Sequence, residues 1–305
     1  MNGLITGTSR FRIALLAFLA FSAFPKLGAQ PAISAVENAA SNVGPGMPNA
    51  GIAQGCIFIV QGSGLGPSQI QIATAAFQNT ALGGTSISVA VGSTTVNALM
   101  YYTSAAQLAA LLPSDTPTGA GTLTVTYNQV SGTAPITVVA NNLGIFSIDS
   151  SGSGPGIATY PDYSLVSATK AANCGGPDTT CGAANTGDTL ILWATGLGPV
   201  NGSDAAGAGL GQPIDVPLTV WLGGVQAPVG YQGRSGCCIG EDQIVFTVPA
   251  GVPTGCAVPL VVAIGSEISN STVLPVANGS RSCTPANSAF STAQVEQLIE
   301  AGPVT

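Results

Sequence analysis

The sequence contains no histidine and little charge, with 6 basic and 13 acidic residues among 305. These residues make up 6% of the chain, whereas an ordinary soluble domain carries about 25%. Without histidine, neither a Ser-His-Asp nor a Cys-His catalytic arrangement can form, and acid–base catalysis would fall to carboxylates. The shortage of Lys and Glu also argues against amphipathic helices with solvated outer faces.

The few acidic residues do not form an obvious catalytic pair. A glycosidase needs two carboxyl groups facing one cleft, but Glu241 and Asp242 would point to opposite faces of an extended strand. The other acids considered for such a carboxylate-dependent, glycan-active enzyme are Asp178, Asp204 and Asp215. We expect these acids to accept hydrogen bonds from backbone N–H groups in turns. The sequence therefore predicts no enzyme activity, no catalytic residues and no cofactor.

Glycine, proline and apolar residues are abundant instead. The chain has 41 Gly, 21 Pro, 46% hydrophobic residues and a mean hydropathy of +0.45. Disordered segments combine low hydrophobicity with high charge, so this composition argues against disorder. It favours a β-rich, turn-rich protein whose solvent faces consist of small polar residues.

The first 29 residues have the pattern of a secretory signal. Arg10 and Arg12 precede an apolar run over Ile13–Phe24, and a small-residue cleavage site ends at Ala29. The run is shorter than the roughly 20 residues that a membrane-spanning helix needs, and no later stretch is long enough. We expect cleavage after Ala29 and a secreted or cell-surface location, extracellular or periplasmic. The alternative is an uncleaved N-terminal anchor.

Removal of this segment leaves three cations, Lys170, Arg234 and Arg281, against 13 acidic residues, a net charge of −10. Nucleic-acid binding requires clustered Lys and Arg that displace counterions from phosphates. Anionic membrane surfaces likewise attract polybasic segments. The sequence therefore predicts neither a nucleic-acid partner nor binding to anionic lipid.

All seven cysteines follow the signal segment, and an oxidising compartment favours disulfides among them. Cys174 and Cys181 bracket a short turn-rich loop, so a local bridge is expected. The other disulfide candidates are Cys237, Cys238, Cys256 and Cys283, which allow three pairings. Adjacent cysteines rarely bond each other, so we expect Cys237 and Cys238 each to reach Cys256 or Cys283.

Cys56 remains without a partner in this scheme. It opens the apolar run Cys56–Val60, where a buried, unreactive thiol is typical. A zinc site is the alternative use of the cysteines, but the chain has no histidine and no pair of C-x-x-C knuckles. We therefore predict no metal site.

An internal repeat organises the chain after the signal. Gly62–Pro67 (GSGLGP) recurs as Ala194–Pro199 (ATGLGP), and Gln107–Pro113 is matched by Gln243–Pro249. Segments that alternate apolar and polar residues, as half-buried strands do, lie between or after these landmarks: Ser86–Val91, Thr122–Tyr127, Pro217–Leu222 and Pro259–Ile264. The Gly-Leu-Gly-Pro signature lacks the Lys-Ser/Thr ending of a phosphate loop, so it indicates a strand exit.

Short strands separated by turn residues at this spacing are typical of sandwiches and small barrels. We predict an all-β fold of two tandem immunoglobulin-like β-sandwiches with a short C-terminal helix over Ser291–Ala301. Leu143–Ile148 could close the first unit or pass into the second. The predicted divisions are a signal peptide (1–29), a first sandwich (30–148), a linker (149–156), a second sandwich (157–283), and a linker with a helix (284–305).

Two features bear on ligand binding. An insertion over Tyr160–Asn185 has no counterpart in the first unit, and loops at one end of a sandwich often carry function. It is the first candidate for ligand contact, with a surface loop stapled against proteolysis as the alternative. Trp193 and Trp221, the only tryptophans, lie in strand-like segments, where we expect them to be buried rather than available to stack on sugars.

Four blocks of the second unit carry a family resemblance: Gly187–Leu190, Val220–Val229, Gly236–Pro253 and Ser269–Val273. In this order they resemble the Solibacter-type uncharacterised C-terminal domain of secreted acidobacterial proteins, which is similar to IPT/TIG immunoglobulin-like modules. The first unit is a degenerate version, with Val91-Gly-Ser in place of the glycine pair and Gln107-Leu in place of Gln-Ile. The resemblance implies an exported, surface-associated adhesive or scaffolding module and carries over no catalytic residue.

The sequence as a whole predicts a secreted, non-catalytic β-sandwich module for extracellular or cell-surface binding or adhesion. Extracellular polysaccharide or an envelope protein is the expected partner. The alternative is a structural spacer that presents a partner or a downstream domain.

Overall fold

The computed structural model describes residues 30–74, 77–169, 181–206 and 212–284. Within these ranges the regular structure is β-strand apart from a 3-10 turn over Asp204–Ala206, which confirms the all-β prediction. No helix of the described ranges has the length and apolarity needed to cross a membrane. The predicted signal segment and the predicted C-terminal helix lie outside these ranges.

The first domain contains two facing sheets. Its strands are β1 (Ala32–Asn38), β2 (Ile52–Ala53), β3 (Ile57–Ser63), β4 (Gln71–Ile72), β5 (Ala81–Leu82), β6 (Thr85–Val91), β7 (Thr94–Asn97), β8 (Leu99–Thr103), β9 (Gln107–Leu111), β10 (Gly119–Tyr127) and β11 (Val130–Val139). Sheet I has the order β1-β3-β9-β8-β4. Sheet II has the order β2-β11-β10-β6-β5, and β7 also pairs with β6.

The second domain is built in the same way. Its strands are β12 (Gly144–Ile145), β13 (Ala158–Thr159), β14 (Thr189–Thr195), β15 (Leu218–Leu222), β16 (Val225–Ala227), β17 (Val229–Arg234), β18 (Asp242–Thr247), β19 (Gly255–Ile264), β20 (Glu267–Ile268) and β21 (Thr272–Val276). Sheet III has the order β12-β14-β18-β17, with β13 paired to β14. Sheet IV has the order β16-β15-β19-β20, with β21 paired to β19.

The two domains share one strand arrangement. The series β3-β9-β8 in sheet I corresponds to β14-β18-β17 in sheet III. In sheet II, β10 lies between β6 and β11, as β19 lies between β15 and β21 in sheet IV. The strands that precede the Gly-Leu-Gly-Pro signature, β3 and β14, are equivalent in this scheme. The predicted duplication is therefore confirmed as a duplication of topology.

Each domain has its own apolar core between its sheets. Along β6, every second residue from Thr85 to Val91 is buried, because alternate side chains of a strand point to one face. Phe58, Met100 and Leu123 are among the residues of the first core. Leu192 and Phe246 belong to the second. Full burial of such side chains contributes about 1.5–3 kcal/mol each.

The chain passes to the second domain earlier than the predicted boundary at residue 148. Gly144 and Ile145 pair with β14, and Ile145 belongs to the second core. The side chain of Asn270 fixes the backbone of Ile145 in the second domain. Its Oδ1 accepts a hydrogen bond from Ile145 N (2.7 Å), and its Nδ2 donates one to Ile145 O (2.9 Å). The predicted linker over 149–156 is also bonded to the second domain, because Gly156 N donates to Val273 O at 3.0 Å.

The disulfides correct the predicted pairing. Cys237 is bonded to Cys238, and Cys256 to Cys283 across a Cα separation of 5.1 Å. Cys256 is the second residue of β19 and packs with Cys283 in a small apolar cluster, whereas the adjacent cysteines lie in the distant loop between β17 and β18. Cys181 is disulfide-bonded, and its predicted partner, Cys174, lies outside the described residues.

A buried ion pair of the second domain lies at the interface between the domains, and its arginine also bonds to the first domain. Arg234 and Asp242 form a salt bridge with side chains only 3% and 0% exposed. Arg234 Nη2 also donates to Gly55 O in the first domain and to Gly198 O in the second, both at 2.9 Å. Asp242 Oδ2 accepts a hydrogen bond from Leu197 N at 2.8 Å. The guanidinium thus connects a loop of each domain to the start of β18.

Further hydrogen bonds cross the same interface. Asp204 accepts from Ser114 N (2.6 Å) and from Ser114 Oγ (3.1 Å), which confirms for this residue the expected role of acids as acceptors for backbone N–H groups. Thr195 Oγ1 accepts from Ile57 N at 2.9 Å. Of the other acids considered, Asp215 is exposed, and Asp178 lies outside the described residues.

Cys56 is completely buried at this interface as a free thiol, as the sequence predicted. Asn38 Nδ2 donates to its Sγ at 3.3 Å. Burial raises the pKa of the Cys56 thiol to about 12. Nucleophilic attack requires the thiolate, so this environment suppresses the reactive form.

We therefore expect Cys56 of the native protein to resist iodoacetamide at pH 8. With a pKa of about 12, the thiolate fraction at that pH is about one in ten thousand. Peptide mass spectrometry should find the Cys56 peptide unmodified before denaturation and carbamidomethylated once after it. Fast labelling of the native protein would show that the site opens readily.

Candidate functional site: an aromatic cleft on sheet III

Three aromatic side chains lie together on the outer face of sheet III: Tyr163, Trp193 and Tyr231. In β14, Leu192 and Ala194 are fully buried in the core, so the intervening Trp193 faces outward and is only half-buried. The prediction that both tryptophans are buried is therefore wrong. Trp221 is 39% exposed, because it alternates in the same way with core residues on sheet IV.

Tyr163 comes from the inserted segment and lies beside Trp193. The two ring centroids are 6.2 Å apart, with the planes tilted by 41°. Tyr163 is 66% exposed, and its backbone N donates to Tyr160 O at 2.9 Å in a tight turn. Trp193 Nε1 donates to Thr159 Oγ1 at 3.0 Å, which fixes the orientation of the indole. The insertion, the first candidate for ligand contact in the sequence, thus contributes Tyr163 to this surface.

Tyr231 lies on β17, on the far side of β18. The register places Trp193 opposite Gln243, and Gln243 opposite Gly233, which has no side chain. The space beside these residues is a cleft of about 640 Å³, which we call the aromatic cleft. It is lined by Tyr163, Trp193, Tyr231, Arg234, Gly236, Cys237, Gln243 and Val245.

The charge in the aromatic cleft is compensated. Arg234 is the basic residue of its lining, and its counterion is the buried Asp242. Tyr231 donates its hydroxyl proton to Arg234 O at 2.8 Å. Burial raises the pKa of Tyr231, so the phenol stays neutral at ordinary pH. The lining therefore offers ring faces and neutral polar groups to a ligand.

The two acids at the start of β18, Glu241 and Asp242, are engaged elsewhere. Asp242 is paired with Arg234, and Glu241 Oε2 accepts a hydrogen bond from Ser235 Oγ at 3.1 Å. Burial raises the pKa of Glu241, but its neighbour Asp242 is enclosed in the domain interface. Glu241 and Asp242 therefore do not face one cleft as a catalytic pair.

A second cleft of similar size, about 660 Å³, lies against β11 of the first domain. Its lining includes Met47, Asn49, Pro135, Asn142 and Glu267 but no aromatic residue. The aromatic cleft is therefore the stronger candidate for ligand binding. Sequence analysis singled out Trp193 and the insertion but missed Tyr231, whose place beside them depends on strand pairing.

No protein-family profile matches the chain, and no curated protein matches it. Among solved structures, SGBP-B from a complex xyloglucan utilization locus in Bacteroides uniformis overlays at 13% identity and a TM-score of 0.24, covering 80% of this chain and 49% of that chain. Domains 5–6 of the S-layer protein SbsC overlay at 14% identity and a TM-score of 0.25, covering 82% and 100%. The titin I9–I11 tandem overlays at 11% identity and a TM-score of 0.20, covering 74% and 62%.

The chain thus spans about half of that SGBP-B chain. The assignment of two immunoglobulin-like sandwiches rests on the sheets and strand orders of the chain itself.

Proposed function

We propose that the protein is a non-catalytic extracellular binding module that holds polysaccharide in the aromatic cleft of its second domain. The observation that carries this proposal is the grouping of Tyr163, Trp193 and Tyr231 on one outer sheet face. Exposed apolar patches on soluble proteins mark interaction sites. Aromatic rings combine an apolar face with a polar handle, which suits the apolar faces and hydroxyl rim of a sugar ring.

The charge distribution favours a neutral polysaccharide over an acidic one. The guanidinium of Arg234 already has Asp242 as its partner, so the cleft has no free cation to offer a uronate or sulfate. The chain has 13 acidic residues against 6 basic ones, and a net negative charge opposes the approach of polyanions. Neutral β-glucans, xylans and mannans are therefore the ligand class to test.

Affinity electrophoresis in native gels provides the test. Soluble neutral glycans should retard the protein, and Trp193→Ala or Tyr163→Ala should weaken that affinity at least tenfold, equal to about 1.4 kcal/mol. Trp221→Ala is the matched control, because it removes an exposed tryptophan from sheet IV and should leave binding unchanged. Polygalacturonate should not retard the protein.

Two results would contradict this proposal. Equal losses for Trp193→Ala and Trp221→Ala would remove the aromatic cleft as the site. Failure of every neutral glycan to retard the wild-type protein would favour the second candidate, a structural spacer. The hydrogen-bonded interface through Arg234, Asp204 and Thr195 supports that candidate, because it holds the two domains together.

The proposal also includes an extracellular location and membership of the Solibacter-type family. We infer export from the signal pattern of residues 1–29 and from the disulfides Cys237–Cys238 and Cys256–Cys283, which are typical of oxidising compartments. The sequence blocks of the second domain support membership of the Solibacter-type family. Detection of the protein in the culture medium or on intact cells would test the location.

A further inference from the structure

At the edge of the aromatic cleft, whose lining includes Cys237, two sulfurs and a carboxylate meet in the loop between β17 and β18. The Sγ atoms of Cys237 and Cys238 and a carboxylate oxygen of Glu241 all lie within 4.8 Å of one another. Cys237 is exposed, and the other two residues are half-buried, so solvent reaches the group. We propose that reduction of the Cys237–Cys238 disulfide converts this loop into a binding site for a thiophilic divalent cation such as Zn²⁺.

The loop is held by bonds other than the disulfide. Ser235 N donates to Glu241 O at 2.8 Å, and Glu241 N donates to Cys238 O at 3.4 Å. Ser235 Oγ donates to Glu241 Oε2 at 3.1 Å and accepts from Cys238 N at 3.3 Å. These contacts keep Glu241 beside the cysteines when the sulfur–sulfur bond is open.

Ile239 anchors the same loop to the first domain. Its side chain is buried in a cluster with Leu99 and Leu111, and Tyr101 donates its hydroxyl hydrogen bond to Ile239 O. A residue fixed on a rigid neighbour loses little additional freedom when a ligand binds. The three donor groups are therefore partly ordered before any metal arrives.

The donor set matches zinc chemistry. Zn²⁺ takes four ligands, prefers thiolate sulfur at about 2.3 Å and accepts carboxylate oxygen at about 2.0–2.2 Å. Cys237, Cys238 and Glu241 supply three ligands, and water supplies the fourth. A disulfide sulfur is no thiolate, so the oxidised protein should not bind the ion in this loop.

The conversion needs a dithiol reductant. Two electrons pass from the dithiol to the Cys237–Cys238 bond, which breaks, while each sulfur gains a proton and the reductant becomes a disulfide. Binding of the cation then displaces the two thiol protons and forms two metal–sulfur bonds. A carboxylate oxygen of Glu241 and one water complete the coordination.

Cadmium is the probe of choice, because its thiolate complexes give an ultraviolet charge-transfer band. The purified protein is reduced with a dithiol, freed of reductant without oxygen, and titrated with Cd²⁺. The dithiol also opens the Cys256–Cys283 disulfide and that of Cys181, so the wild-type protein should bind one equivalent of Cd²⁺ with this band more than Cys237→Ser or Cys238→Ser does. Glu241→Gln should weaken the affinity of that additional equivalent at least about tenfold, the lower end of the effect seen even for residues that only support ligands.

A Cys256→Ser/Cys283→Ser double variant is the matched control and should keep the band, because that disulfide is absent from the cluster of metal-ligating groups. A second measurement needs no variant: in the reduced wild-type protein, Zn²⁺ should slow alkylation of Cys237 and Cys238 at least tenfold. The proposal is overturned by an equal band in the oxidised protein, by unchanged affinity in Glu241→Gln, or by unprotected cysteines in the presence of Zn²⁺.

Discussion

Arg234→Ala is expected to lower the free energy of unfolding by about 3–5 kcal/mol, the cost of leaving a buried charge without its partner. Asp242 is fully buried and has Arg234 as its counterion. The same substitution removes the donors to Gly55 O and Gly198 O, and buried carbonyls without donors are themselves unfavourable. Urea denaturation followed by circular dichroism measures the loss.

The second ion pair of the described residues provides the control. Arg281 and Asp188 have side chains that are 27% and 16% exposed, and the Arg281 guanidinium lies 5.4 Å from the centroid of the Tyr160 ring. Solvent screens this pair, so Arg281→Ala should cost about 1 kcal/mol. If Arg234→Ala costs no more than Arg281→Ala, the buried pair does not hold the domain interface.

The fold was predictable because its main signal is local. Ser86–Val91 and Pro259–Ile264 alternate between apolar and small or polar residues, and the structure places them in β6 and β19 with alternate residues buried. The repeat of the Gly-Leu-Gly-Pro signature fixed the equivalence of β3 and β14 without any knowledge of pairing. Such patterns depend on the strand geometry of a few neighbouring residues.

The domain interface and the cysteine pairing were not predictable in the same way. Gly55 and Arg234 are far apart along the chain, and their hydrogen bond exists only because the domains meet there. The pairing of Cys256 with Cys283 likewise depends on packing of the start of β19 against a distant segment. The residue types indicated disulfides, but tertiary contacts select the partners.

The residues of the aromatic cleft were only partly predictable from the sequence. The outward direction of Trp193 could have been read from the core positions Leu192 and Ala194 on either side, since neighbours in a strand face opposite ways. The prediction that Trp193 is buried is wrong because a strand buries only one of its two faces, and Trp193 lies on the other. Tyr163 and Tyr231 join it from an insertion and from another strand, and no spacing in the sequence connects the three.

A large effect is expected for Gly196→Ala in the second copy of the signature, a loss of about 3 kcal/mol or more. Gly196 has a φ of +97°, and a Cβ there would lie 2.3 Å from the backbone oxygen of Asn142. A side chain in this backbone region costs about 1–3 kcal/mol, and displacement of a packed backbone adds about 1–3 kcal/mol. Chemical denaturation measures the sum.

Gly92→Ala is the control, because Gly92 also has a positive φ but lacks the crowding. Gly92 has a φ of +58° in the turn between β6 and β7, and a Cβ there would meet nothing within 4 Å. This variant should lose about 1 kcal/mol from backbone strain alone. The difference between the two variants isolates the close approach of Gly196 to Asn142, where the chain crosses from the first domain to the second. Equal losses would mean that the signature glycine serves only to turn the chain, and that the contact between the domains at Asn142 is loose enough to accept a methyl group.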